Sequence, residues 1–498
     1  MSPFYICTPQ ITQDCYYTCT YSDILTALTV QQITFDVSQI TQIASNFLSV
    51  NQTQGNLLLS NSSCGNVSIP IQYLTDGVVA DLVLFVTARP VLSGNVLAFA
   101  SACQIDFNTN RPIAGVINFS PASYFNVTER MRIGVALHEL THILGFNSDF
   151  FSTLNATVNG SVRNGTPVRY ILTPNVLQYV REFFNCPTLV GAELENQGGN
   201  GTQWNHWEKR LFQEEYMTGT LSPNPIFSNL TLALLSDFGF YVVDNSAPIV
   251  ALETKNPFGE GLGCSFAIDT CNTWKDPLLS ICSSSQQTGC SYEGSAKGVC
   301  TFQTYSTLIP NYFRYFLNPQ QGGLELPDFC PMIEGVPDGD CRVSTNSLAN
   351  SGDRLEEYGG LRSKCILASI TSPTSPLFIS SPIPGCYTTA CVSNVNLMVK
   401  IGKFYYNCTK ENDIIIPLVG ANGLFLCPRI QYYCTDPYAN PNWPTFSSAS
   451  PSQGREGTQF TIYGSNFVFG MQVFVGEGSH SSFQPPFLFL LVLKTSSM

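Results

Sequence analysis

Val135–Phe146, VALHELTHILGF, is the stretch from which the rest of the chain is read. It contains His138-Glu139-Leu140-Thr141-His142, an H-E-x-x-H motif, followed by Gly145. On a helix, residues i and i+4 lie one above the other on the same face. His138 and His142 can therefore aim two imidazole nitrogens at one point. Zinc accepts neutral histidine nitrogens and, in a catalytic site, keeps one position for water. Glu139 sits beside that face, where its carboxylate can take a proton from such a water. The competing explanation is a helix that happens to carry two histidines. With only four histidines in the chain, chance formation of the motif is on the order of one in a thousand. Ile133, Val135, Ala136, Leu137, Leu140, Ile143 and Leu144 predict a helix over 128–144 buried on most of its circumference. Asn126 and Glu129 are expected to cap its start.

Composition narrows the partners. Net charge is −12, pI is near 4.8 and no Lys/Arg cluster is present, which argues against nucleic acid and anionic membrane as partners. With 44% hydrophobic and 12% charged residues, the chain packs a core. Its 498 residues exceed one core, so several domains or subdomains are expected. The 19 cysteines run from Cys7 to Cys434 without paired C-x-x-C metal spacing. They read as a disulfide framework made in an oxidising compartment. Sequons at Asn51, Asn61, Asn66, Asn118, Asn126, Asn155, Asn159, Asn164, Asn200, Asn229 and Asn407 point to the same compartment. The opening MSPFYICTPQ has neither the basic nor the apolar region of a signal peptide. The signal and any pro-segment are therefore expected upstream of this sequence. Phe487–Leu493, FLFLLVL, is too short to span a bilayer and short for a lipid-anchor signal.

Periodicity predicts a helix over 23–49 whose apolar face opens with Ile24, Leu25 and Leu28. Short β-prone runs follow at 80–88, 96–103 and 114–119. Helical pieces are expected near 174–184 and over 231–240, the latter ending at Gly239. Residues up to 147 form an α/β unit ending in the first two histidines. A turn-rich central segment, 148–268, follows, then a disulfide-stapled, loop-rich domain over 269–443. Residues 444–498 comprise a Ser/Pro linker and a strand-plus-turn piece over 458–469. That piece resembles the start of an immunoglobulin-like IPT/TIG module, with too few residues remaining to complete one.

A catalytic zinc needs a third protein ligand, and only His206 and His480 are left. His480 lies in the tail. His206 sits in QGGNGTQWNHWEKRLFQEEYMTG, with Met217 a short helical run beyond it. An exposed polar helix would explain the charges of that stretch but neither the histidine nor the Gly-rich approach to it. These residues carry a resemblance to the leishmanolysins, zinc endopeptidases of the metzincin clan. Most of the clan continues H-E-x-x-H-x-x-G-x-x-H. Here no ligand occupies Ser148, and the leishmanolysins are the members that insert a subdomain between the glycine and the third histidine. Further matches run in order through Thr18-Cys19-Thr20, Ser63-Cys64-Gly65, Gly115-Val116-Ile117-Asn118, Gln197-Gly198-Gly199 and Gly263-Cys264.

The resemblance implies an α+β, metzincin-type zincin unit of mixed sheet and active-site helix, an inserted central subdomain and a disulfide-rich C-terminal domain. It implies one catalytic Zn2+ held by His138, His142 and His206, with Glu139 as general base. Gly145 breaks the helix, and Met217 forms an apolar floor without being a ligand. The substrates would be proteins and peptides, bound as an added strand along Val96–Cys103. The implied disulfides are Cys64–Cys103, Cys186–Cys264, Cys271–Cys330, Cys282–Cys300, Cys290–Cys365, Cys341–Cys386, Cys391–Cys434 and Cys408–Cys427. Cys19 would pair with Cys15 or Cys7. The expected location is extracellular or at the cell surface, with membrane anchorage not visible in the sequence. The alternative is a catalytically silent adhesion glycoprotein on the same scaffold.

Overall fold

The computed structural model describes residues 4–7, 15–18, 20–50, 55–91, 96–244, 255–274, 282–347, 351–360, 362–393, 396–434, 445–450, 461–465, 487–491 and 494–495. Helix and sheet are mixed, and the chain divides into two compact units. One comprises 1–287, 299–337 and 481–498; the other comprises 288–298 and 338–480.

The first unit is built around a long helix and a four-stranded sheet. Helix α1 (Ala27–Phe47) is capped by Thr26, whose Oγ1 accepts from the Thr29 amide. It buries Ile33, Val37, Ile40, Ala44 and Phe47. Its start corrects the sequence reading. Ile24, Leu25 and Leu28 precede or open the helix on its solvent side and are 57%, 40% and 63% exposed. The Thr26 cap starts the helix four residues later than the apolar pattern suggests and sets the buried stripe from Ile33 onward.

Strands β1 (Leu82–Ala88), β2 (Ala98–Ile105) and β3 (Pro112–Phe119) fall close to the predicted runs. β1 and β3 pair in parallel, and β2 pairs antiparallel with β3. Phe487–Leu491 pairs antiparallel with the other edge of β1. β2 is thus an outer strand among the described residues. Every residue of β3 is buried, as expected of a central strand covered on both faces. That burial includes Asn118, whose amide donates to the Arg89 carbonyl and whose Oδ1 accepts from Thr87. The sequon at Asn118 is therefore buried in the folded protein. Asn61, Asn66, Asn126, Asn155, Asn159, Asn164, Asn200, Asn229 and Asn407 are exposed, and Asn51 lies outside the described residues.

Helix α2 (Glu129–Ile143) packs across this sheet. Gly115 of β3 permits the close approach, since a Cβ there would lie 2.5 Å from Ile143 Cγ2. The helix is capped by Thr128, not Asn126. Thr128 Oγ1 accepts from the Met131 amide, while the Asn126 side chain donates to the Ala122 carbonyl. Asn126 lies two residues outside the first turn, too early to reach the free amides. α2 is held to α1 by a buried ion pair, Arg132 Nε to Asp36 Oδ2 at 2.9 Å, and Tyr124 donates to the same oxygen.

The segment after α2 carries a hairpin, β4 (Thr157–Val162) with β5 (Thr166–Ile171), then helix α3 (Pro174–Phe183) and a short strand β6 (Ala192–Leu194) paired with β5. Helix α4 (Asn229–Asp237) follows the third histidine and ends before Gly239, at φ 78°. In the second unit, six antiparallel strands pack Ile366, Tyr387, Leu397, Val399 and Phe425 into a core.

All eight disulfides implied by the resemblance between Cys64 and Cys434 are present. The pairing of Cys19 and most of the IPT/TIG-like piece lie outside the described residues. Among the described residues, no helix is long and apolar enough to cross a membrane.

Candidate metal centre

α2 delivers His138 and His142 to one face, as their spacing predicts. The helix then ends in a turn that also serves the site. Gly145 takes φ 120°, and the Phe146 amide donates back to the Thr141 carbonyl at 3.1 Å. Only glycine adopts that conformation without strain. The turn returns the Phe146 carbonyl to His142, whose Nδ1 lies 2.7 Å from it. Gly145 therefore both stops the helix and supplies the second histidine with its outer partner.

His206 reaches the same point by another route. From β6 the chain runs through Gly198, Gly199 and Gly201, all at positive φ. It then folds so that the Thr202 carbonyl lies 2.9 Å from His206 Nδ1. The Glu195 amide donates to the His206 carbonyl and fixes the loop against the end of β6. His138 Nδ1 lies 2.6 Å from the carbonyl of Tyr216.

Each Nδ1 thus faces a carbonyl oxygen, which can only accept. Each Nδ1 must carry the proton, and each Nε2 is left as a lone pair. His138 Nε2 lies 3.1 Å from His206 Nε2 and 3.0 Å from His142 Nε2. Three lone pairs at this separation have no hydrogen to share and repel unless a cation lies among them. Tetrahedral zinc at its usual Zn–N length sets ligand nitrogens about 3.3 Å apart. The donor set fits zinc in chemistry, tautomer and spacing. Among the described residues it is the one group of three His, Cys, Asp or Glu side chains poised to hold a metal ion. His480 lies outside the described residues.

The three histidines and Glu139 line one cleft of about 1010 Å3, bounded on one side by Val96–Ala102 and on another by Thr218–Ser222. Gly134 of α2 lets Pro225 close this wall, since a Cβ would stand 2.4 Å from Pro225 Cγ. Burial raises the Glu139 carboxyl to about 8. Burial lowers the three histidines, His206 to about 3, with neighbouring imidazoles adding to the effect on His138 and His206. They are held in the neutral form that a metal requires.

In metal-free protein this has a measurable consequence. His206 protonates near 6.5 when unfolded and near 3 when folded. The unfolded state thus binds more protons between those values, and the stability present above pH 6.5 is lost as pH falls. In chelator, the urea midpoint of the wild type is expected to fall more steeply from pH 6.5 to 4 than that of His206→Gln. Parallel midpoint curves would show that His206 does not titrate in this way.

Two features were not legible in the sequence. The charged run after His206 is interior. Glu208, Lys209, Arg210 and Glu215 are all at most 2% exposed, and only Lys209–Phe212 is helical. Arg163 makes a bidentate pair with Glu193, at 2.8 and 2.6 Å, and contacts Asp328 at 3.1 Å. Arg210 donates to the carbonyls of Ala267 and Asp269. This cluster secures the loop bearing the third histidine, with Asp328 arriving from more than 100 residues downstream. The second feature is Glu215, which neighbours Tyr216 and Met217. Met217 is fully buried.

Two of the three clustered histidines thus come from an H-E-x-x-H helix, and the third comes from a loop 64 residues beyond it. A family model for leishmanolysin, peptidase family M8, matches residues 6–441, and the chain belongs to that family. It is 29% identical over 439 residues to a leishmanolysin homolog of Crithidia fasciculata, covering 84% of this chain and 66% of that relative. It is 28% identical over 437 residues to leishmanolysin of Leishmania donovani, covering 84% and 72%. A leishmanolysin-like peptidase of Drosophila pseudoobscura pseudoobscura is 27% identical over 487 residues, covering 76% and 70%.

Proposed function

We propose that the chain is a zinc metalloendopeptidase of metzincin type that hydrolyses internal peptide bonds of proteins. The observation that carries this reading is the convergence of three Nε2 lone pairs beside a buried carboxylate on one cleft. His138, His142 and His206 would hold the ion. Zinc, when bound, activates water near neutral pH and polarises a carbonyl.

The protein's own residues do the rest. Glu139 accepts the proton of the attacking water at its carboxylate and passes it to the leaving amine. Burial alone keeps this group protonated near neutral pH, and a cation among the adjacent imidazoles favours the ionised form that the role requires. Val96–Ala102 borders the cleft and β2 is an outer strand, which supports binding of an extended peptide by added main-chain pairing. Met217 would serve as the apolar floor. Residues 1–147 would act as the N-terminal catalytic subdomain, 148–268 as the central subdomain bearing the third histidine and Met217, and 269–443 as the disulfide-rich domain.

Eight disulfides and nine exposed sequon asparagines support a secreted or surface glycoprotein. A silent adhesion scaffold would not need Glu139 and all three histidines in place. Chelation should abolish cleavage of casein, and about one zinc per chain should restore it. Full cleavage by verified metal-free protein would overturn the proposal.

A further inference from the structure

We infer that Glu215 is the positioning residue that couples the turn under the centre to two of its three ligands. The inference rests on the zinc-centre reading and concerns what holds that centre in shape. Glu215 is 1% exposed, and no role in proton transfer is assigned to it. Its carboxylate receives three donors, one from the turn at Met217 and two from the start of α4. The Met217 amide donates to Oε2 at 2.5 Å; Ser228 Oγ and Thr231 Oγ1 donate to Oε1 at 2.9 and 2.6 Å.

Each hydroxyl also accepts a hydrogen bond from elsewhere in the unit. Thr231 Oγ1 accepts from Trp207 Nε1 at 2.9 Å, and Ser228 Oγ accepts from the Leu230 amide as the cap of α4. With Glu215 ionised, both hydroxyl hydrogens go to its carboxylate, and the amide of Met217 can only donate. A carboxylate accepts at both oxygens; a carboxamide accepts at one, so in its place either the two hydroxyls must turn round or the Met217 amide loses its acceptor. Removing one acceptor leaves a buried donor without a partner.

The geometry then runs outward to the ligands. Tyr216, next in the chain, offers its carbonyl to His138 Nδ1, and its hydroxyl lies 2.9 Å from Thr141 Oγ1 of α2. Trp207, next to His206, donates its amide to the Met217 carbonyl at 3.0 Å and its indole to Thr231. One carboxylate thus fixes the acceptor of His138 and the chain on which His206 stands. A change there moves two ligands at once without touching either.

The test measures zinc affinity by chelator competition and the visible spectrum of the cobalt-substituted full chain. Glu215→Gln is expected to weaken zinc binding by about 10–100-fold, the range for partners that orient metal ligands, and to change the cobalt spectrum. Thr231→Val should weaken binding in the same direction, while Thr231→Ser, which keeps the hydroxyl, should restore wild-type affinity and spectrum. If Glu215→Gln does not fold, the Thr231→Val and Thr231→Ser pair decides the matter. Wild-type affinity and spectrum in Glu215→Gln, or in Thr231→Val, would reduce Glu215 to a purely structural group. Failure of the unmodified chain to bind zinc would instead overturn the centre itself.

Discussion

Glu139→Gln is expected to lower the rate of casein cleavage by about 10²–10⁴-fold, the range for a lost general base, while zinc content stays near one per chain. Glutamine keeps the size and nearly the shape of glutamate but cannot take a proton. Glu139 contributes no atom to the histidine cluster, so metal binding should survive the change. The substitution also removes a buried carboxyl whose ionisation is opposed by its surroundings, so the folded state should not suffer. Rate and metal content measured on the same sample separate the two effects. A variant that keeps both its zinc and its activity would remove Glu139 from the mechanism and leave the centre unexplained as a catalyst.

His206→Gln is expected to do the reverse, taking the metal and the activity together. Its Nε2 is one of only three converging lone pairs, and it comes from 68 residues beyond His138. Loss of a direct ligand should exceed the roughly 100-fold penalty of an altered outer partner. Dialysed protein should then carry almost no zinc and cleave nothing measurable. Because the loop that bears His206 is fastened by Glu195 and the buried Arg163–Glu193–Asp328 cluster, the variant should still fold. Its near-ultraviolet circular dichroism should match that of the metal-free wild type. Zinc content unchanged from wild type would mean that the cluster is not the binding site.

How much of this was legible depends on whether a residue's neighbours are near it in sequence. The i, i+4 spacing of His138 and His142 fixed both the helix and the direction of the two imidazoles, since helix geometry alone relates them. Strands β1 to β3 were visible for the same reason, with ends displaced by a few residues where caps and bulges intervene. His206 was singled out by the scarcity of histidines and tied to that pair through the resemblance, and the eight disulfides came from the resemblance alone, because chain closure over such separations leaves no local pattern. The charged run from Glu208 to Glu215 misleads a local reading. Charges usually face water, and the charged groups beside Glu208 and Arg210 are Arg163, Glu193 and Asp328, each remote in sequence. Ile24, Leu25 and Leu28 mislead in the opposite sense, as apolar residues placed before a cap that sets the helix elsewhere. Asn118 meets the sequon rule yet lies in a central strand, a fact that only tertiary structure supplies.

All three imidazoles are oriented by main-chain oxygens, those of Tyr216, Phe146 and Thr202. Such oxygens are furnished by every amino acid alike. Substitutions at those three positions can therefore accumulate without disturbing the tautomers, provided the path of the backbone is kept. What the centre cannot tolerate is a change of path: a deletion between Gly198 and Thr202, or a bulky residue in place of Gly145. The tautomers thus depend on loop length and glycine placement more than on the side chains at those three positions.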